Sequence, residues 1–346
     1  MAKTLSTAIG VDLGRYALKA VQLQKKGDRL ALTHFASQPM DESDERTAEE
    51  LGRQLKALLK RMGGNARTCA VSVFSPEAMV RLIDQPDTPP EMLREALRLN
   101  GMALLNQDCR NYVLDCDYVP TAHPIPSEFG SAPQKRYLVA GLPRPQVDLV
   151  GKLVQDCGLG SLASIELLPI SIFNAFEFAR PEVFREQAFF LLDVGHTSST
   201  MLVGSKRELV LIRNIDFGGK TLVDTLCGLS GTAPECVLST LEQEDELMVE
   251  NARLALNMLT REIGSSIGFF EGRREETIGQ VWISGGLAKS KTVLRILSEE
   301  LHMNCQAWNA VDRCEIAVPA SQQAQLNEHI TDYSVACGAA SQLLSD

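Results

Sequence analysis

Ile9-Gly10-Val11-Asp12-Leu13-Gly14 and Leu191-Leu192-Asp193-Val194-Gly195-His196-Thr197-Ser198 decide how the rest of this chain is read. Each is an apolar, β-rich run ending in Asp-x-Gly, followed at once by a turn and a second strand. One such segment carries little. Two predict half-domains facing each other across a cleft, each offering a carboxylate and a turn of backbone N–H groups. Such turns form anion-binding concavities, and Mg²⁺ is held by one or two carboxylates with waters and substrate phosphates. The pair therefore points to a Mg-nucleotide cleft with Asp12 and Asp193 facing the metal. The plainer alternative is that each aspartate bonds its own backbone in a turn. Gly14, Gly195, Gly285 and Gly286 read either as close approach of backbone to a ligand or as turns needing positive φ.

Outward from these segments the chain repeats itself. Residues 8–37 alternate as a three-stranded meander, Asp44 to Arg61 has a helical period stopped at Gly63-Gly64, and Cys69 to Phe74 is a further strand. The meander recurs over 188–216. Gly218-Gly219 then leads into a helix, a long helix spans 250–272 with Leu254, Met258, Ile263 and Ile267 near helical spacing, and Gln280 to Ser284 is a buried strand. Between the halves, 86–160 reads as a small α+β unit. It opens at Thr88-Pro89-Pro90, with Thr88 a candidate helix cap, and holds a Pro- and Ser-rich loop at 123–133. Phe269-Phe270 and Phe173 with Phe176 read as core, and 331–344 as a last helix.

Bulk composition sets limits. The balance of 34 basic against 44 acidic residues, net −10, lacks the basic footprint of a nucleic-acid or lipid-surface binder. Nine cysteines lie singly with no CxxC and no zinc-ligand spacing, which fits reduced thiols in a cytosol. No signal-peptide layout and no apolar run of about 20 residues is present, so work at a membrane would need a partner.

Gly10-Val11-Asp12-Leu13-Gly14 resembles the first phosphate motif of the actin/Hsp70/sugar-kinase superfamily. Leu192 to Thr197 resembles the second, and Trp282-Ile283-Ser284-Gly285-Gly286 the adenosine motif. Within that superfamily Gly10 to Leu23, Asp193 to Thr200 with Phe217-Gly218-Gly219, Ser265 to Glu271 and Thr331 to Ala340 are similar to the PilM family of type IV pilus assembly. The resemblance implies an α/β, two-lobed actin-like (ribonuclease H-like) ATPase fold with an inserted FtsA/PilM-type (SHS2) α+β subdomain. It divides the chain into a first lobe (1–85 with 331–346), the insert (86–160), a connecting helix region (161–186), a second lobe (187–219 and 278–330) and a helical subdomain (220–277).

The resemblance also implies ATP and Mg²⁺ as cofactors. It places Asp12, Gly14, Arg15, Lys19, Asp193, Gly195, His196, Thr197, Gly218, Gly219, Arg261, Ser265, Gly285 and Gly286 around the nucleotide, with Asp12 and Asp193 toward the metal. The implied role is a cytoplasmic scaffold at the inner face of the inner membrane. It docks the N-terminal tail of a PilN-like membrane protein beside the insert, first sought at 86–119, and meets pilus motor or platform proteins, with self-association open.

Two departures matter. The first turn is Gly14-Arg15-Tyr16-Ala17, without the family's hydroxyl donors, so Arg15 either clamps a phosphate or fills its place. Leu168 stands before Pro169, where hydrolysing relatives keep a carboxylate or amide; Glu166 is near, its direction undecided by alternation. Lacking a placed base forfeits roughly 10²–10⁴-fold in rate, so slow or absent turnover is expected, with nucleotide acting as a clamp on lobe closure. Three other readings stay open: an ATPase or small-molecule kinase, an FtsA-like filament former (though the chain ends without a tether helix), and a scaffold that binds no nucleotide.

Overall fold

In a computed structural model, residues 5–40, 47–121, 125 and 133–345 are described. The first lobe opens with the expected meander, β1 (Thr7–Leu13), β2 (Ala17–Lys26) and β3 (Arg29–Pro39). Helix α1 (Ala48–Met62) follows, with Thr47 accepting from Glu50 N and Gly63 at its end in the left-handed region. Strand β4 (Thr68–Val73) then pairs parallel to β1. The insert comprises β5 (Met79–Pro86), α2 (Pro90–Leu105), β6 (Tyr112–Tyr118) and β7 (Gln134–Pro143) in a three-stranded sheet ordered β5-β7-β6.

Helices α3 (Arg144–Cys157), α4 (Leu168–Ala179) and α5 (Pro181–Glu186) flank β8 (Ser161–Leu167). The second lobe repeats the meander in β9 (Ala188–Val194), β10 (Ser199–Ser205) and β11 (Glu208–Ile215). Helices α6 (Gly219–Ser230), α7 (Pro234–Leu241) and α8 (Glu246–Arg274) follow, then β12 (Gln280–Gly285), α9 (Lys291–Leu301) and β13 (Asn304–Ala307). The chain returns through β14 (Glu315–Ile316) and α10 (Ala320–His329) to α11 (Ser334–Gln342).

The first-lobe sheet runs β14-β3-β2-β1-β4-β8 and the second β11-β10-β9-β12-β13. Apart from β14 the two orders match strand for strand, so the repetition legible in the sequence is a structural duplication. Five layers result. One core lies between the first sheet and α1/α3, one between the second sheet and α6 to α9. The central core sits between both sheets around α4 and α11. There Phe176 meets Phe189, Trp282 and Trp308 at centroid distances of 5.3, 5.8 and 5.4 Å; fully burying such side chains contributes about 1.5–3 kcal/mol each. Helix α11 lies against β1 at backbone distance: a Cβ on Gly10 would stand 1.9 Å from Ala336 O, and one on Gly338 1.8 Å from Ser171 O.

Several local expectations differ. The three-stranded sheet begins at Met79 rather than 86. Helix α3 buries Val150, Leu153 and Val154 in the first-lobe core, so the packed insert ends at Pro143 instead of 160. Thr88 does not cap α2: its hydroxyl donates to Pro86 O, and Pro89 occupies the cap position. The last helix starts as a tight turn at Ile330–Tyr333. Leu254, Met258 and Phe269 are exposed on α8, the phenyl ring covered by Arg273 at 4.4 Å. Residues 44–46 of the first expected helix, and most of the 123–133 loop, lie outside the described residues.

Candidate functional site

Register builds the site. Neighbours in register project side chains to one face. Across the first sheet the register aligns Lys19 (β2), Asp12 (β1), Ser72 (β4) and Glu166 (β8). Across the second it aligns Asn214 (β11), Thr200 (β10), Asp193 (β9) and Ser284 (β12). Each lobe thus carries a polar row across the carboxyl end of its central strand, with a buried aspartate in the middle. Ligands of open α/β sheets bind outside these ends.

The rows are satisfied differently. Lys19 Nζ donates to Asp12 Oδ2 at 3.4 Å. Ser284 Oγ donates to Asp193 Oδ1 at 2.7 Å, and Thr200 Oγ1 to Asn214 Oδ1 at 2.9 Å. Burial raises the pKa of both aspartates above the usual carboxylate range, against the opposing pull of Lys19 on Asp12 and of Ser284 on Asp193. Burial works against the Lys19 charge too, but the combined attraction of Asp12, Asp332 and Asp193 outweighs it and raises its pKa. One ammonium thus serves three carboxylates. Asp332 is the member the sequence reading missed. It lies in the turn before α11 and is held by Lys289 Nζ at 2.7 Å; only its place beside the closing helix hinted at it.

Glu166 faces the same side as Asp12, which resolves its direction. It is also covered: Ser171 on α4 donates to Glu166 Oε2 at 2.7 Å and lies 2.9 Å from the Ser72 hydroxyl. Burial raises its pKa, against hydrogen bonds from Ser171 and Asn174, and Oε1 has no partner among the described residues.

The two turns are four-residue hairpins that touch across the cleft. Gly195 N donates to Ser198 O at 3.0 Å within the second. The Tyr16 ring stacks on His196 at 4.7 Å, and Arg15 Nη1 lies 3.5 Å from Thr197 Oγ1. Gly219 N and Lys220 N bond Gly195 O and His196 O, tying the start of α6 to the second turn. A Cβ on Gly218 would meet His196 O at 2.3 Å, and one on Gly285, at φ 86°, Val194 O at 2.3 Å; one on Gly286 meets open space. Asp12, Gly14, Arg15, Lys19, Asp193, Gly195, His196, Thr197, Gly218, Gly219, Gly285 and Gly286 therefore gather in one cleft. Arg261 and Ser265 do not join them through any hydrogen bond: both are exposed, on the side of α8 opposite the buried Ile263 and Phe270.

These residues fit a metal that arrives with phosphates. Two buried carboxylates face one space and the backbone is bare at Gly286, while among the described residues no group of three or more metal-ligating side chains stands ready for a free ion.

Duplicated lobes with matching strand order around paired Asp-x-Gly turns define an actin-like ATPase fold, and solved structures share it. A chain of the PilM-PilN type IV pilus biogenesis complex superposes with a TM-score of 0.81 at 22% identity, covering 99% of this chain and 100% of that one. The ethanolamine utilization protein EutJ from Carboxydothermus hydrogenoformans gives 0.52 at 13% identity, covering 99% and 91%. Component A of the Acidaminococcus fermentans (R)-2-hydroxyglutaryl-CoA dehydratase gives 0.50 at 11%, covering 99% and 100%. No match was found among curated proteins. The type IV pilus assembly protein PilM family matches residues 170–343, and the chain belongs to that family.

Proposed function

We propose that this protein is a scaffold of type IV pilus assembly that takes a Mg-nucleotide between its lobes and docks the cytoplasmic tail of a PilN-like inner-membrane protein. The observation that carries the nucleotide reading is the pair of polar rows: two buried aspartates, one shared lysine, and glycine turns on both sides of one cleft. Asp12 and Asp193 would hold Mg²⁺, which when bound neutralises phosphate charge. Lys19 would add a point charge, and Gly285-Gly286 would lie against the nucleoside. Glu166 is buried with one oxygen bonded to Ser171 and its pKa raised by burial, which makes it a poor base for water and supports a clamp with slow turnover over a catalytic ATPase. A ligand touching both rows favours the closed lobes by its differential affinity for them.

Docking is supported by membership of the PilM family and by likeness to a chain of a PilM-PilN type IV pilus biogenesis complex. A groove of about 90 Å³ lies where Val73, Phe74, Leu167 and Pro169 of the first lobe meet Val80 and Arg81 of the insert. An extended tail in such a groove is ordinary peptide recognition. Because no helix among the described residues is long and apolar enough to cross a membrane, the partner would supply the place at the inner face of the inner membrane. Motor or platform proteins would meet other faces.

The second reading is a scaffold without nucleotide, favoured by the Tyr16–His196 contact across the phosphate space. Calorimetric titration with ATP and Mg²⁺, beside Asp12→Ala, decides. Binding lost in the variant supports the clamp; no binding to the wild type leaves docking alone. Multiple turnover well above background, abolished by Asp193→Ala, would overturn the slow-clamp assignment.

A further inference from the structure

Leu82 and Leu138 of the insert pack on the central core beside Leu209 and Ile212 of the second lobe, and over this apolar contact the two bodies are also joined by ions. Asp84 (β5) and Arg136 (β7) are cross-strand partners in the insert. Arg136 Nε and Nη2 grip the two Asp84 oxygens at 2.8 and 2.9 Å, and Nη1 reaches across to Glu208 Oε1 at 2.6 Å. Glu208 opens β11 in the second lobe and its side chain is 1% exposed. Arg274, the last residue of α8, approaches it from behind with Nη1 at 3.0 Å from Oε2 and Nη2 on Oε1. Four alternating charges thus run from the insert into the second lobe.

The base of this line is fixed with unusual care. The turn before Glu208 is the pair Lys206-Arg207, at φ 50° and 73°. Both residues sit in the left-handed region normally left to glycine or asparagine in two-residue hairpins. Their N–H groups donate to Gln187 O at 3.2 Å and Phe184 O at 2.8 Å, pinning the hairpin to α5. A sequence that tolerates two such residues holds the start of β11 in one position.

The junction groove explains what that position serves. Besides its first-lobe and insert walls it is lined by Ile212 and Asn214 of β11, and Asn214 is the outer member of the second lobe's polar row. We infer that Asp84–Arg136–Glu208–Arg274 is a clasp that holds the insert against the second lobe, making the groove a three-walled site whose shape follows lobe movement. Asp84 and Arg136 are positioning residues for the PilN-like tail in that groove. The clasp stands on geometry alone; its effect on docking rests on the PilN-tail reading above. Ion networks of this kind add little net stability, and the members are not equivalent: without Arg136, Asp84 loses its two-pronged partner and the line between insert and second lobe is cut, while Glu208 keeps Arg274. A ligand spanning all three walls binds the clasped form better, and by reciprocity anything that holds the lobes closed strengthens its binding.

Hydrogen exchange on the full chain tests it. Arg136→Gln removes the ionic link and leaves the apolar contact of Leu82 and Leu138, so exchange in Met79–Pro86, Gln134–Pro143 and Glu208–Ile215 should rise by about tenfold, a factor of ten being 1.4 kcal/mol, while α9 and β13 stay unchanged. Arg274→Gln leaves the Arg136–Glu208 bridge and should loosen the end of α8 without freeing the insert. Arg136→Lys, keeping one charge and losing the two-pronged grip, should fall between wild type and Arg136→Gln. A uniform rise across the chain, an equal response to Arg274→Gln, or no change would overturn the clasp. A synthetic peptide copying the N-terminal tail of the same organism's PilN-like protein should bind Arg136→Gln about tenfold more weakly than wild type. If it binds both equally, the three-walled groove is wrong. If it binds neither, the docking reading fails while the exchange result judges the clasp separately.

Discussion

The two polar rows share a backbone and differ in what balances their charge. Asp12 is met by an ammonium at 3.4 Å, Asp193 by a neutral hydroxyl at 2.7 Å. The position equivalent to Lys19 in the second lobe is Thr200, which turns to Asn214 instead. Duplication therefore fixed the strand order and the aspartates, and divergence placed the only cation of the two rows in the first lobe. A hydroxyl holds a carboxylate in place without cancelling its charge, so Asp193 has only the more distant pull of Lys19 to offset it. The strands behind the rows diverged as well. Two residues before the aspartates, β1 carries Gly10 and β9 carries Leu191, because α11 crosses β1 at backbone distance whereas Leu191 packs in the central core.

Gly10 is where the comparison breaks most violently. Gly10→Val puts a Cβ 1.9 Å from Ala336 O and 2.8 Å from Ala340 N, contacts with backbone that no rotamer relieves. The loss should exceed the roughly 1–3 kcal/mol usual for overpacking, and little folded protein should survive. Leu191→Val, at the equivalent position, should cost no more than the about 0.5–1.5 kcal/mol of one lost methylene. Denaturant unfolding of both variants checks this, and equal losses would mean α11 is not packed on β1 as described.

Next come the partners of the aspartates. Lys19→Met leaves Asp12 buried without its cation and should cost about 3 kcal/mol, at the lower end for a broken buried pair because the lysine is partly exposed. Ser284→Ala removes a hydrogen bond to a charged group and should cost about 1.5–3 kcal/mol. Urea midpoints at neutral pH compare them. A larger loss for Ser284→Ala would reverse the assignment of charge balance to the first lobe.

Much of this was legible because duplication writes itself twice. Asp12 and Asp193 recur with the same strand–turn–strand frame, and period-2 patterning gives the meanders. What was hidden belongs to register and packing. Alternation within β8 cannot say which face Glu166 takes; its register with Ser72 does. The insert's edge at Met79 was missed because β5 is half-buried along most of its length and shows no clean apolar run. Leu254 and Met258 have helical spacing with Ile263, yet Ile263 lies on the opposite side of α8. Arg136 and Glu208 are 72 residues apart, and nothing local marks either as half of a bridge.

A smaller effect is a pH dependence that both lobes share, since burial raises the pKa of Asp12 and of Asp193 alike. Burial raises the Asp193 pKa in the fold, so between the unfolded value of about 3.9 and the higher folded one the native state binds more protons. Stability is therefore greatest below that window and falls as pH rises through it. Asp193→Asn keeps an acceptor for Ser284 and cannot ionise, so it should lose this contribution to the slope and gain stability at neutral pH while losing Mg-nucleotide. Stability measured from pH 4 to 7 tests the sign; a variant less stable than wild type at pH 7 would show that the charged form is the one the fold prefers.

The smallest effect falls on the turns. Tyr16 is 49% exposed, so Tyr16→Ala should change stability by no more than the about 0.5–1.5 kcal/mol of an aromatic pair. The informative readout is binding. If Tyr16 stacked on His196 stands where phosphates must enter, its removal opens the space and the affinity for Mg·ATP should rise, with Arg15 retained as a donor. If Tyr16 instead closes over a bound nucleotide, affinity should fall and dissociation quicken. The His196→Ala variant separates stacking from bulk: a plug needs the Tyr16 ring and tolerates loss of its platform poorly, so His196→Ala should raise affinity as well. Opposite responses in the two variants would mean that the turns act separately on the ligand, and that their contact across the cleft is not the gate.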